Sequence, residues 1–210
     1  MGINLKGKKV IITAGPTWVR IDSVRVISNI ASGETGILLA EKFNKLGAKV
    51  TLLLGPVGRV ILGSRIKVVN FKFFEDLRAL LTKELRLKKY DIALHSAAVS
   101  DYRPAVVVSK KINSGLRNLK ISLGPTPKII DIFKKIQPDI FLVGFKFEPH
   151  ASRPQLLKES QKQIVASGAD LVVANTTAAK GYAAYLVYGD NCRGPFFTKA
   201  AMVTGLTKVI

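Results

Sequence analysis

Five short apolar runs, Val10 to Ala14, Val50 to Leu54, Ile92 to Val99, Phe141 to Phe145 and Leu171 to Ala174, are too unbroken to be strands with one wet face. Such runs are what a parallel sheet covered on both sides requires, because every side chain then meets apolar neighbours. Between them lie helical patterns at Thr35 to Leu46, Phe74 to Leu87, Pro127 to Ile136 and Pro154 to Ser167. Gly47 is a stop signal for the first, and Thr126-Pro127 reads as a cap followed by proline at the first position of the third. Strands and helices alternating at these lengths predict βαβ units, and so an α/β fold: a Rossmann-like, doubly wound and mostly parallel sheet.

Two stretches break that rhythm. Asp101 to Leu123 holds Pro104, a valine triplet, a lysine pair and Gly115, and is expected to be an inserted arm or hairpin. Residues Thr176 to Gly194, with three tyrosines and a Gly-Asp-Asn turn at 189 to 191, predict a late hairpin. A chain of 210 residues without repeats or a low-complexity linker is expected to form one domain over residues 1–210.

Composition narrows the chemistry. One cysteine, Cys192, excludes an internal disulfide framework, and with two histidines it also excludes finger-type zinc sites. The longest apolar stretch, Val50 to Gly63, is broken by Gly55, Pro56, Gly58 and Arg59, so no membrane span is expected. The segment Met1 to Lys9 lacks a secretory apolar region and has Lys6 where a myristoylation signal needs Ser or Thr, which makes the cytoplasm the expected compartment. A formal net charge of +19 favours polyanionic ligands without choosing among nucleotides, phosphorylated metabolites and nucleic acid.

Ligands of open α/β sheets bind beyond the carboxyl ends of the strands. The apolar runs empty there into Gly15-Pro16-Thr17, Gly55-Pro56, Ser100-Asp101-Tyr102, Lys146-Phe147-Glu148 and Asn175-Thr176-Thr177. The most informative segment is GPTWVRIDSVRVISNIASGETG, Gly15 to Gly36, about 20 residues where such a loop usually has 2 to 6. Its end sets Ser32, Gly33 and Gly36 at a helix start, where free N–H groups and the helix dipole favour an anion. It has neither the GxGxxG spacing of a dinucleotide site nor a Walker A loop.

Gly15-Pro16-Thr17, Ile21-Asp22, Val24-Arg25, Ile27-Ser28-Asn29, Ser32-Gly33 and Gly36 together resemble the signature of the phosphopantothenate–cysteine ligases of coenzyme A biosynthesis. Further segments follow in the family's order: Ser96 to Pro104 (SAAVSDYRP), Lys110-Lys111-Ile112, Thr126 to Ile129, Val143-Gly144-Phe145 with Glu148, and Ala174-Asn175. There are departures. Trp18-Val19-Arg20 and Ser23 replace Arg-Glu-Pro and Pro, and Glu34-Thr35 stands where Lys-Met is common, reversing the charge at the helix start. Nothing matches the flavin-dependent decarboxylase domain often fused ahead of this one.

The resemblance implies a ligase that joins 4'-phosphopantothenate to L-cysteine through an acyl-nucleotidylate, releasing pyrophosphate, with Mg²⁺ and CTP or ATP. The SAAVSDYRP segment leans to the CTP-using branch and Phe145-Lys-Phe-Glu148 to the other; CTP is favoured. Asn29 would donate to the acyl oxyanion, against the alternative of a turn residue. Lys111 would contact the triphosphate, against that of a solvated charge on the arm. Asp101 would bind nucleotide or its metal ion. Gly15, Thr17, Ser32, Gly33, Ala98, Thr126, Pro127, Lys128, Ile129 and Phe145 would form the nucleotide site, with Lys158 and Lys162 as the matching helix lysines. Asp22 and Arg25 either order the long loop by a salt bridge or touch the substrate phosphate. His95 reads as a satisfied core histidine, and His150 and Cys192 as solvated. The arm would serve dimerisation and site closure, giving a homodimer.

Two other classes remain. A nucleic-acid-binding protein would cluster its basic residues on one face with aromatics between them, whereas here they scatter from Lys6 to Lys208. A dinucleotide-dependent oxidoreductase would need the glycine fingerprint and an acidic residue where Leu54-Gly55 stand.

Overall fold

The computed structural model describes residues 4–178 and 181–210. An eight-stranded sheet is built from β1 (Lys9–Ala14), β4 (Lys49–Leu54), β5 (Lys67–Asn70), β6 (Ile92–His95), β9 (Phe141–Phe147), β10 (Leu171–Ala178), β11 (Gly181–Tyr188) and β12 (Asn191–Phe196). Two short antiparallel pairs stand apart from it: β2 (Trp18–Arg20) with β3 (Val26–Ser28), and β7 (Tyr102–Pro104) with β8 (Leu123–Pro125). The helices are α1 (Glu34–Lys45), α2 (Phe74–Leu87), α3 (Asp131–Ile136), α4 (Arg153–Ser167) and α5 (Lys199–Leu206).

The sheet runs β12-β11-β10-β9-β6-β1-β4-β5, with β11 antiparallel to both its neighbours and every other pair parallel. The parallel part therefore turns back at β1: β4 and β5 extend it one way, β6, β9 and β10 the other. That reversal makes the crevice between β1 and β6 a topological switch point. Register places Val10 beside both Val50 and Ile92.

Alternation along each strand sorts the core into two layers. Val10, Ile12, Val50, Leu52 and Val143 meet Leu39, Ala40 and Phe43 of α1 and Met202, Val203 and Leu206 of α5. Ile11, Leu53, Ala93 and Leu142 meet Leu77, Leu81 and Leu85 of α2 and Phe133 of α3. Leu156 of α4 packs on Ala174 and Val187. Both faces are thus covered, which is why the strand sequences are continuously apolar. Helix starts follow local chemistry: the Asp76 carboxylate accepts from the backbone N–H of Phe73 at 2.9 Å, and Ser152 and Gln155 cap α4 reciprocally.

Several boundaries differ from the sequence reading. The Ile92 to Val99 run leaves the sheet after His95, because Ala98 bonds instead to the chain beyond β1: its N–H donates to the Gly15 carbonyl at 2.9 Å and its carbonyl accepts from Thr17 at 3.2 Å. The third helix starts at Asp131, not Pro127, since the Thr126 hydroxyl donates to the Ser100 carbonyl at 2.6 Å and caps nothing. Residues 176 to 194 extend the main sheet as strands; residues 179 and 180 of that hairpin, and residues 1 to 3 of the N-terminal segment, lie outside the described residues. The arm is paired only at its base, by β7 and β8, and residues 105–122 form no helix or strand. Among the described residues no helix is long and apolar enough to cross a membrane.

Candidate active site

Beyond the carboxyl ends of β6, β9 and β10 lies a cavity of about 640 Å³. Segments far apart in the chain line it: Asn29 and Thr35 before and in α1, His95 to Val99 after β6, Asp101, Thr126 to Asp131, Phe145 to Phe147, and Asn175. The face of α4 adds Glu159, Lys162, Gln163 and Ala166. Gly144 leaves room for that helix, since a Cβ there would stand 2.6 Å from Gln163 Nε2.

A buried polar staple ties the Thr126 segment to Ser100 and to Thr17 of the loop after β1. Thr17, Ser100 and Thr126 are all buried; the Ser100 N–H donates to Thr17 Oγ1 at 2.9 Å, and Thr126 Oγ1 donates to the Ser100 carbonyl. Each bond is made away from water, where losing one partner costs about 1–3 kcal/mol. Next to the staple, Asn29 Nδ2 donates to the Val99 carbonyl at 3.1 Å. One N–H of that amide is thereby committed to the protein, and the second makes no hydrogen bond among the described residues.

Gly33 caps α1 with φ 73°, a left-handed conformation that glycine adopts without strain. Three residues on, Gly36 lies so close to β1 that a Cβ would stand 2.3 Å from Ala14 Cβ and 2.8 Å from Ser96 Oγ. The start of α1 is therefore pressed against the switch point. Ser32 Oγ accepts from the Glu34 N–H at 3.4 Å. Glu34 itself pairs with Lys199 at the start of α5, so the carboxylate at this helix start has a cation of its own.

The loop between β1 and α1 is ordered from within. The Asp22 carboxyl is buried and accepts from the N–H groups of Val24, Arg25 and Ile112 and from the Arg25 guanidinium. Burial alone would raise its pKa, but these donors outweigh it and hold the carboxyl well below the usual carboxylate range. Arg25 also donates to the Ile112 carbonyl at 3.1 Å. Asp22 and Arg25 thus clasp the arm at Ile112, the residue after Lys111. The departing residues have a packing role: Trp18 meets Phe73 edge to face, and the Arg20 guanidinium lies 3.7 Å from the Phe73 ring centre.

Charges around the cavity are mostly paired: Lys128 with Asp101, Lys162 with Glu159, and Lys146 with Glu148. The donor set for Mg²⁺ is sparse, with no cluster of three or more His, Cys, Asp or Glu among the described residues. The carboxylates that line the cavity, Asp101, Asp131 and Glu159, do so singly. His95 is buried, its Nδ1 2.8 Å from Thr13 Oγ1 and its ring against Phe133. Burial pushes the imidazole down to about 4, so it stays neutral at physiological pH and is not poised as a base.

Of the residues expected at the site, the cavity gathers Asn29, Ala98, Asp101, Thr126, Pro127, Lys128, Ile129, Phe145 and Lys162. Gly15, Thr17, Ser32 and Gly33 stand behind it as backbone and staple, and Asp22 and Arg25 form the clasp. Lys111 is exposed on the arm beside the clasp and does not line the cavity. Lys158 lines a smaller neighbouring hollow with Glu148 and His150. The sequence reading missed Thr35, Lys146, Glu159, Gln163 and Ala166. The α4 residues carry no local motif; the glycine of Val143-Gly144-Phe145 was the available signal, since it marks where a neighbour comes close.

Comparison with known proteins places the chain in a family and agrees with its fold. The model of the DNA/pantothenate metabolism flavoprotein C-terminal domain matches residues 5–186. A coenzyme A biosynthesis bifunctional protein CoaBC of Thermococcus kodakarensis is 42% identical over 179 residues, covering 85% of this chain and 43% of that protein. The chain spans less than half the length of the curated relatives it matches. The crystal structure of the C-terminal domain of a CoaBC protein superposes with a TM-score of 0.80 at 26% identity, covering 99% of this chain and 96% of that one. The DNA/pantothenate metabolism flavoprotein of Streptococcus pneumoniae shares the fold, with a TM-score of 0.84 at 24% identity over 95% of this chain and 96% of its own. With a family model matched along most of its length and a relative this similar, the chain belongs to the family of DNA/pantothenate metabolism flavoprotein C-terminal domains.

Proposed function

We propose that this chain is a phosphopantothenate–cysteine ligase domain, which activates the carboxylate of 4'-phosphopantothenate with a nucleoside triphosphate and passes the acyl group to the amine of L-cysteine. The observation that carries this reading is the meeting in one cavity of Asn29, the Thr126 to Ile129 loop and Phe145, each from a different motif of the ligase signature. The relatives whose names state coenzyme A biosynthesis support it.

A free carboxylate is a poor electrophile, so the reaction must first turn it into a mixed anhydride. Its oxygen attacks the α-phosphorus, the bond to the leaving pyrophosphate breaks, and the cysteine amine then displaces the nucleoside monophosphate. Phe145, Ala98 and Ile129 offer an apolar bed for the base. Lys128 and Lys162, both in the cavity, offset phosphate charge, each phosphate monoester bringing about −1.5 to −2. Asp101 would hold Mg²⁺, which would supply charge neutralisation for the phosphates. The free N–H of Asn29 donates to the acyl oxygen as cysteine attacks, and Lys111 contributes to the triphosphate from the arm. Asp22 and Arg25 act by holding loop and arm together. CTP is favoured over ATP as the co-substrate.

The arm further supports a homodimer. Val106, Val107, Leu116 and Leu119 are exposed on it, forming the kind of apolar surface that usually marks an interface. The test is incubation with phosphopantothenate, cysteine, Mg²⁺ and either CTP or ATP while following pyrophosphate. Release that requires phosphopantothenate and is faster with CTP is expected. Release at the same rate without phosphopantothenate would overturn the reading.

A further inference from the structure

At the opposite ends of the strands, where β1, β4 and β5 begin, lies a second hollow of about 390 Å³. Five cations line it: Lys9, Lys49, Arg65, Lys67 and Lys88. Three of them come from neighbouring strands and share a face. Lys9 pairs in register with Lys49, and Lys67 pairs with Thr51, two residues beyond Lys49 on the same side. Adjacent strands lie roughly 4.8 Å apart, so Lys9 and Lys49 emerge side by side with like charge, an arrangement unfavourable unless something anionic offsets it.

The carboxylates nearby do so only in part, Asp91 feeling the charge of Lys9 without pairing with it. Glu84 is held by Lys67 at 2.9 Å, by Lys88 at 2.7 Å and by the Tyr90 hydroxyl at 2.6 Å. Asp91 pairs with Lys8 and accepts from the backbone N–H of Lys9. No ion pair among the described residues engages the side chains of Lys9, Lys49 or Arg65. Tyr90 and Thr51 are buried and hydrogen-bonded to each other, giving the cationic rim a fixed base. The hollow is large enough for a small ligand. β1 is six residues long, which puts the hollow about 20 Å from the candidate active site.

We propose that this hollow is a second anion site, taking a small molecule that bears a diphosphate group, either free or on a nucleoside, through Lys9, Lys49 and Arg65. The site is separate from the cavity beyond the carboxyl ends of the strands, and its existence does not depend on the ligase reading.

The test is an amide NMR titration of the protein with inorganic pyrophosphate and, separately, a nucleoside diphosphate, at constant ionic strength. Amides of Val50 and Ile66 report on the hollow, and those of Ala98 and Phe145 on the cavity. Saturable shifts at Val50 and Ile66 are expected, weakened at least about tenfold in Lys49→Gln/Arg65→Gln while the response at Ala98 and Phe145 is unchanged, a loss of about 1.4 kcal/mol. Both substitutions are at exposed positions, so an unchanged thermal midpoint checks the fold. Shifts with both compounds indicate the free diphosphate group as sufficient; shifts with the nucleoside compound alone assign the site to nucleotides. No response at Val50 and Ile66 at millimolar ligand, or one that survives the double substitution, overturns the proposal. So does a response there to a single-stranded oligonucleotide only, which would make the surface one for nucleic acid.

Discussion

Glu34 and Lys199 form an ion pair between the first turns of α1 and α5, joining residues 165 positions apart. The pair places a negative charge beside Thr35, a cavity residue, where members of the ligase family commonly carry lysine. Removing that charge should favour anionic substrates. Glu34→Gln is expected to lower the KM for nucleotide or phosphopantothenate by about two- to fivefold at low salt, the scale of an exposed charge pair of 0.2–1 kcal/mol. The gain should fade as salt rises. Steady-state kinetics at two ionic strengths check it.

In the proposed reaction, Asn29→Asp would trade an N–H donor to the acyl oxygen for a negative charge. The first half-reaction should continue, while aminolysis slows by about 10² or more and the acyl-nucleotidylate accumulates in a single-turnover assay. Turnover equal to that of the unaltered protein would leave Asn29 only its bond to Val99.

Lys111→Gln is expected to suppress pyrophosphate release strongly while a chemically supplied acyl-nucleotidylate still reacts with cysteine. Lys110→Gln should do little. Equal effects of the two substitutions would point to the general field of a chain with net charge +19.

Acid stability should depend on His95. Its folded pKa of about 4 lies below the ordinary value of 6.5, so between these limits the unfolded chain binds the extra proton. Stability contributed by the neutral ring is present above pH 6.5 and is lost as pH falls toward 4, by roughly 3 kcal/mol at most. Urea unfolding at pH 7 and pH 5 should show a steeper loss in the unaltered protein than in His95→Gln.

For the dimer, light scattering should give about twice the 22.8 kDa chain mass at micromolar concentration. Val106→Asp combined with Val107→Asp should return it to one chain. A single-chain mass for the unaltered protein would remove the role given to the arm.

Sequence and structure agree best where burial on both faces leaves a continuous apolar run, as in β1 and β4, or where one face is apolar at helical spacing, as in α2, whose limits match the pattern at both ends. They part where another demand governs. β5, Lys-Val-Val-Asn, sits at the sheet edge and is mostly exposed, so it has no run to see. Ala97 to Val99 are apolar because they line a cavity, not because they pair in the sheet. α5 is apolar on most sides and holds Gly205, so the face it buries through Met202, Val203 and Leu206 does not stand out in the sequence. The site shows the same division. Asn29, Ala98 and Phe145 lie in motifs whose order can be read, whereas Glu159 and Gln163 reach the cavity only because α4 crosses Gly144. The bond from Asp22 to Ile112 joins positions 90 residues apart and leaves no pattern that spacing could reveal.

That bond has a consequence for exchanging parts between relatives. One carboxylate satisfies N–H groups on both the loop and the arm, and Arg25 returns a bond to the arm's backbone, so neither segment carries its own complete set of partners. An arm transplanted alone would arrive at a loop shaped for another chain, and an insertion of a single residue before Ile112 would shift its N–H away from Asp22. Chimeras should therefore move residues 20–28 and 105–113 as a pair, and the two segments should tolerate change only in step.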